Sequence, residues 1–280
     1  MITNGDSSIS KRSVEVASSE CETPLQPAKG ALDNPNCNVK SLAQKALWKV
    51  VALNAVVIVV TILVATPSDT VSRQFDEGGI ITYFSVIQLL MLSWFSDKIF
   101  KTRRQGIKHP WQSSVAIWGI FSFGFFFLAL DDLIMIHEWF DKMIHAVGQF
   151  EETGWSDRID DLIVALYGLM AIGLLVVYRR ELKKFRLAFP YTVVGFLLLF
   201  LMVGVDAITN RNDILPIIFS EEVVDVLLDW DLIVEEALKL MSEAVLIVAA
   251  YLCHCRAKQL NYRKAAENAL EPITARNTEL

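Results

Sequence analysis

Cysteine is scarce. Two of the four lie near the N-terminus (Cys21, Cys37) and two near the end of the last apolar segment (Cys253, Cys255). This spacing supplies no disulfide framework, and all four fall on the side assigned below to the reducing cytoplasm. Cys253-His254-Cys255 has the composition of a soft-metal tripeptide, but so short a motif reads as ordinary residues at a helix end. A surplus of positive charge is also missing. With 26 Lys and Arg against 32 Asp and Glu, the net charge of −6 argues against nucleic acid as a partner. Met1–Pro35 is polar, so no secretory leader is expected there. Strand-like alternation is absent, which excludes a β-barrel. So are the paired E-x-x-H motifs of diiron bundles.

What the chain has is apolar residues in blocks. Hydrophobic residues make up 53% of the sequence, and the mean hydropathy is +0.39. Such content, gathered in runs, indicates a membrane protein and not a soluble core. Six runs approach the roughly 20 residues needed to cross a bilayer: Trp48–Ala65, Ile80–Phe95, Val115–Met135, Leu162–Tyr178, Tyr191–Ile208 and Ala237–Leu252. The expected fold is all-α, a polytopic bundle of six transmembrane helices over 41–258. Residues 1–40, rich in Ser, Glu, Asn and Pro, read as a disordered tail, and 259–280 as a C-terminal tail.

Basic residues orient the bundle. They crowd into the N-terminal region, the second-to-third and fourth-to-fifth connections and the C-terminal tail. The other three connections hold only Arg73, Lys142, Arg158 and Arg211, and Lys239 lies inside a span. Both termini are therefore expected in the cytoplasm, with the protein integral to a bacterial inner (plasma) membrane. In the acidic outer connections, Phe219–Leu238 has the pattern of an amphipathic helix lying along the surface.

The stretch Leu128–His145 closes the third run and carries Asp131, Asp132, His137, Glu138, Asp141 and His145. Continued as one helix, at about 100° per residue, it aligns Asp131, Glu138 and His145 and brings His137 and Asp141 to the same side, with Asp132 pointing elsewhere. The outer ends of other spans add Asp160, Asp161, Asp206, Glu235 and Glu236, and the last span carries Lys239 and Glu243 inward. The first two spans contribute only Asn54, Tyr83 and Gln88. A carboxylate at a membrane helix centre costs about 2.5–3.5 kcal/mol, less near the ends. The group must therefore be protonated, hydrated, paired or bound to a cation. Lys239, four residues from both Glu235 and Glu243, can pair within its own helix, but one lysine cannot balance them all. Asp160, Asp161, Glu235 and Glu236 also sit at helix N-termini, where acids complement the macrodipole.

At LDD-x4-HE (Leu130, Asp131, Asp132, His137, Glu138) and EEALKL (Glu235–Leu240) the sequence resembles a group of uncharacterised bacterial integral membrane proteins that share an LD[DE]-x4-HE signature. The resemblance implies the six-helix region and no activity. A looser resemblance is to the alkaline-ceramidase-like intramembrane hydrolases, which hold zinc with His and Asp from several helices. The chain departs from these in having six runs, not seven, and a single histidine, His254, near the last.

Three readings stand. In the first, a metal-dependent hydrolase acts on a lipid or lipid-linked substrate at the outer leaflet. A divalent Zn, Mn or Fe ion would be held by Asp131, His137, Glu138 and Asp206, with Asp206 and Glu243 as catalytic groups and Asp132, Asp161, Glu236 and Lys239 as a surrounding polar cluster. The second is a proton- or cation-coupled transporter or sensor using Glu243, Lys239 and Asp206. The third is a structural or assembly subunit whose polar groups tie helices together. The bilayer is the one partner all three share, and the sequence leaves oligomeric state open.

Overall fold

The computed structural model describes residues 35–65, 71–76, 78–148, 159–209 and 215–277. The chain divides into two units, Met1–Asn38 and Val39–Leu280. The expected tail, apart from the start of the first helix, lies outside the described residues. The second unit is built of helices: α1 (Pro35–Ala65), α2 (Val71–Phe75), α3 (Ile80–Arg103), α4 (Ala116–Ile134), α5 (Ile136–Gly148), α6 (Ile159–Val177), α7 (Arg179–Leu182), α8 (Phe189–Thr209), α9 (Leu215–Ile218) and α10 (Glu221–Asn277). Among the described residues there is no strand.

Four helical stretches are long and apolar enough to cross a membrane: Ala43–Ala65, Arg73–Arg103, Ala116–Ile134 and Phe189–Thr209. The pair Leu162–Val177 and Arg179–Phe185, bent by 72°, makes a fifth if counted as one span. The last expected span, Ala237–Leu252, is an inner part of α10, whose 57 residues also take in the expected surface helix and most of the expected C-terminal tail.

α3 departs from a water-soluble helix: it buries polar residues beside apolar ones such as Ile81, Leu92 and Ile99, and turns large apolar side chains outward. Thr82, Ser85, Gln88 and Ser96 are buried, while Ile80, Ile87, Leu90, Met91 and Trp94 face outward. Apolar outside and polar inside is the arrangement hydrocarbon imposes, since a polar group there must find its partner within the bundle. On α1, likewise, Leu53, Val56, Val60, Leu63 and Val64 are exposed and Asn54 is buried.

The middle of α10 is the hub. It packs along α8 on one side and α3 on the other, and α3 packs along α4. Leu240, Ala244, Val248, Ala249 and Leu252 are buried. The contact with α8 is close because Gly195 has no side chain. A Cβ there would lie 2.6 Å from Leu246 Cγ, and the Gly195 carbonyl accepts the Ser242 hydroxyl at 2.8 Å. Because helices surround this stretch, its charged residues meet protein groups.

Toward the basic end of the bundle, Glu181 on α7 is fully buried. Its carboxylate accepts Arg103 Nε at 2.8 Å and also bonds Lys184 Nζ. The Ser114 hydroxyl approaches at 3.5 Å. Burial pushes this carboxyl up, but the hydrogen bonds and charges of Arg103 and Lys184 outweigh it and hold Glu181 below its ordinary value. Arg256 Nε also reaches the Lys184 carbonyl at 3.4 Å, and Asn261 Nδ2 donates to Gln105 Oε1 at 2.6 Å. Three of the basic segments read from the sequence therefore meet.

Leu128–His145 is not one helix. α4 ends at Met135, which adopts the left-handed conformation (φ 54°, ψ 50°) with its N–H on the Asp131 carbonyl at 2.7 Å. A non-glycine residue there is strained by about 1–2 kcal/mol. The helix restarts at Ile136, so the projection that treats Leu128–His145 as one helix no longer applies.

Candidate functional site

One face of α10 is defined by the spacing Glu236, Lys239, Leu240, Glu243, which is helical i, i+3, i+4, i+7. Against it the bundle sets Asp132 from α4, Ser85 and Gln88 from α3, and Asn54 from α1. Lys239 Nζ bonds Asp132 Oδ1 at 2.8 Å and Glu236 Oε1 at 2.9 Å. One turn further along, Glu243 is 6% exposed, and its Oε1 accepts the Ser85 hydroxyl at 2.7 Å. Asn54 bridges the other side: its Nδ2 donates to the Leu240 carbonyl at 3.0 Å, and its Oδ1 accepts Gln88 Nε2 at 3.0 Å.

The network has more acceptors than donors. Asp132 Oδ2, Glu236 Oε2, Glu243 Oε2 and Gln88 Oε1 are all buried without a hydrogen-bond partner. Three carboxylates lie around one ammonium group, which bonds two of them. A proton, a cation or a buried water can supply what such an excess lacks.

Several expectations change here. Asp132, turned away from Asp131 and Glu138 by helical projection but grouped with Glu236 and Lys239 in the expected polar cluster, is the carboxylate that reaches Lys239. The i±4 pairing expected of Lys239 gives way to Glu236, three residues back, and to Asp132 across helices. Asn54 and Gln88, expected to contribute little, sit at the network's core beside Ser85, which the sequence reading missed. The signal was present in the i, i+3 spacing of Ser85 and Gln88 within an otherwise apolar span.

Of the expected metal ligands, Asp131 and His137 come together at the start of α5. Asp131 Oδ1 accepts the His137 backbone N–H at 2.8 Å, and its ring Nδ1 lies 3.3 Å away. The acid thus caps the first turn of α5, where it complements the dipole. Asp206 is half-buried near the end of α8. The side chains of Glu138, Asp141, His145, Asp160 and Asp161 lie outside the described residues. Among the described residues, no group of three or more His, Cys, Asp or Glu side chains is arranged to hold a metal ion.

No curated protein matches the chain, and no solved structure does. A family model described as a domain of unknown function, DUF8692, matches residues 50–255. That interval runs from α1 to the middle of α10 and contains every residue of the Lys239–Glu243 network. The chain therefore belongs to the DUF8692 family.

Proposed function

We propose that this is a six-span integral protein of a bacterial inner membrane, with both termini cytoplasmic, which handles protons or small cations at its buried cluster as a coupled transporter or sensor. The observation that carries the reading is the sharing of Lys239 between Asp132 and Glu236, while a third carboxylate, Glu243, is buried one turn away with an oxygen unpartnered. Ionisable groups inside a membrane domain default to ion or proton pathways. Four acceptors of this network have no protein donor, which leaves room for an exchangeable proton or cation. Two observations support the topology. The basic segments around Arg103, Lys184 and Arg256 meet at one end, as the positive-inside rule expects. The enclosure of Ala237–Leu252 by α3 and α8 gives its charged residues partners that lipid would not.

The test is reconstitution into liposomes loaded with a pH-sensitive dye. An imposed gradient should drive proton or sodium movement above that of empty vesicles, and Glu243→Gln should abolish it. Flux equal to empty vesicles, together with no response of the protein's fluorescence or melting to pH or cations, would remove the reading and leave a structural subunit.

The metal-dependent hydrolase remains as a second reading because of the Asp131–His137 pair. A carboxylate against an imidazole nitrogen is a common way to orient a metal-ligating histidine. Bound Zn, Mn or Fe in stoichiometric amount in the purified protein, lost in His137→Ala, would favour it, with a lipid or lipid-linked substrate at the outer leaflet.

A further inference from the structure

We infer that Glu243, Gln88 and Ser85 form the binding site of a single alkali-metal cation of about sodium's size, an inference that rests on the cation-handling reading above. The Leu240 carbonyl can only accept, so the group of Asn54 that faces it is the amide nitrogen. The Asn54 oxygen therefore faces Gln88 and takes its amide nitrogen. This chain of donors orients Gln88 by chemistry: its nitrogen is committed to Asn54 on α1, which leaves its oxygen as the open end. Gln88 is 3% exposed, and that oxygen has no partner.

One turn away on the same buried face of α3, the Ser85 hydroxyl donates to Glu243 at 2.7 Å. With its proton so directed, Ser85 has only lone pairs to offer. What remains unspent is an amide oxygen, a carboxylate oxygen and a hydroxyl oxygen, with no donor among them. The amide oxygen is not basic enough to be satisfied by taking a proton itself.

Three hard oxygens with one formal charge suit an alkali cation. Calcium takes six to eight oxygens, commonly from several carboxylates, and softer metals prefer imidazole or thiolate.

The experiment uses the full chain purified in lipid nanodiscs. Melting is followed in sodium, lithium, potassium and choline chlorides at one ionic strength, and binding is measured with radiolabelled sodium. The expected result is one sodium per chain and a saturable rise in melting temperature absent in choline. Glu243→Gln should abolish both effects. Ser85→Ala should weaken sodium binding about tenfold, the loss of one ligand hydrogen-bonded to a charge. If Glu243→Gln fails to fold, wild type and Ser85→Ala decide. Equal melting in sodium and choline with no bound sodium overturns the inference, as does undiminished binding in Glu243→Gln. Proton flux persisting in sodium-free buffer would then show that the relay reading stands without this site. Stoichiometric sodium without flux would keep the site and remove the relay.

Discussion

The Ser85 hydroxyl on α3 and the Glu243 carboxylate on α10 are joined by a 2.7 Å hydrogen bond across 158 positions of sequence. It is one of the few direct polar ties between α3 and the middle of α10, and it lies one helical turn from Lys239. The chemistry of the cluster and the packing of the bundle are thereby coupled, so substitutions in either should register in both.

Lys239→Met should destabilise the protein by about 3–5 kcal/mol, because it strands the carboxylates of Asp132 and Glu236 in a buried site. Adding Asp132→Leu should recover part of that loss, since the second change removes one of the stranded charges. Thermal melting of the two variants beside wild type checks this. A double variant no more stable than Lys239→Met would show that Asp132 is not the partner that matters.

Glu181 predicts an acid-sensitive tie at the basic end. Its folded-state carboxyl is held below the ordinary value of about 4.3, so the stability it contributes is present above that value and is lost as pH falls through the depressed one. Wild type should lose melting temperature below about pH 4. Glu181→Gln should be less stable at pH 7 by about 3 kcal/mol, as expected when a buried pair loses one member, and should show a flatter acid limb.

Met135→Gly should be neutral or slightly stabilising. It relieves about 1–2 kcal/mol of left-handed strain while adding unfolded-state entropy. Met135→Val, β-branched at φ 54°, should destabilise the fold. Chemical denaturation of both variants distinguishes strain at this residue from simple loss of its side chain, which would harm both.

For topology, a reporter fused after Leu280 should behave as cytoplasmic, and a cysteine placed at Lys108 should resist membrane-impermeant labelling from outside. Labelling at position 108 in intact cells would refute the proposed orientation.

Much of the bundle was legible because hydrocarbon imposes a strong pattern: runs near bilayer length, and basic residues gathered at alternate connections. The break at Met135 was not legible. No glycine or proline marks it: the N–H of the left-handed residue keeps a helical bond to the Asp131 carbonyl, and its terminal methyl lies near Gly78 of a distant segment. The projection drawn from an unbroken Leu128–His145 helix therefore no longer applies, and Asp131 meets His137 at the start of α5. Glu236, Lys239 and Glu243 were readable because they share one helix face. Their partners Asp132, Ser85 and Asn54 come from other helices, and which faces of separate helices meet is decided by packing that spacing alone does not encode.

The length of α10 has a mechanical consequence. From Glu243 to its end at Asn277 the helix extends about 51 Å at 1.5 Å per residue. A helix that stays stiff over this distance acts as a lever: a tilt of about 5° at the Glu243 level sweeps its far end through roughly 4 Å. A change of occupancy at one buried carboxylate, too small to see locally, would arrive at Asn277 as a displacement the size of a side chain.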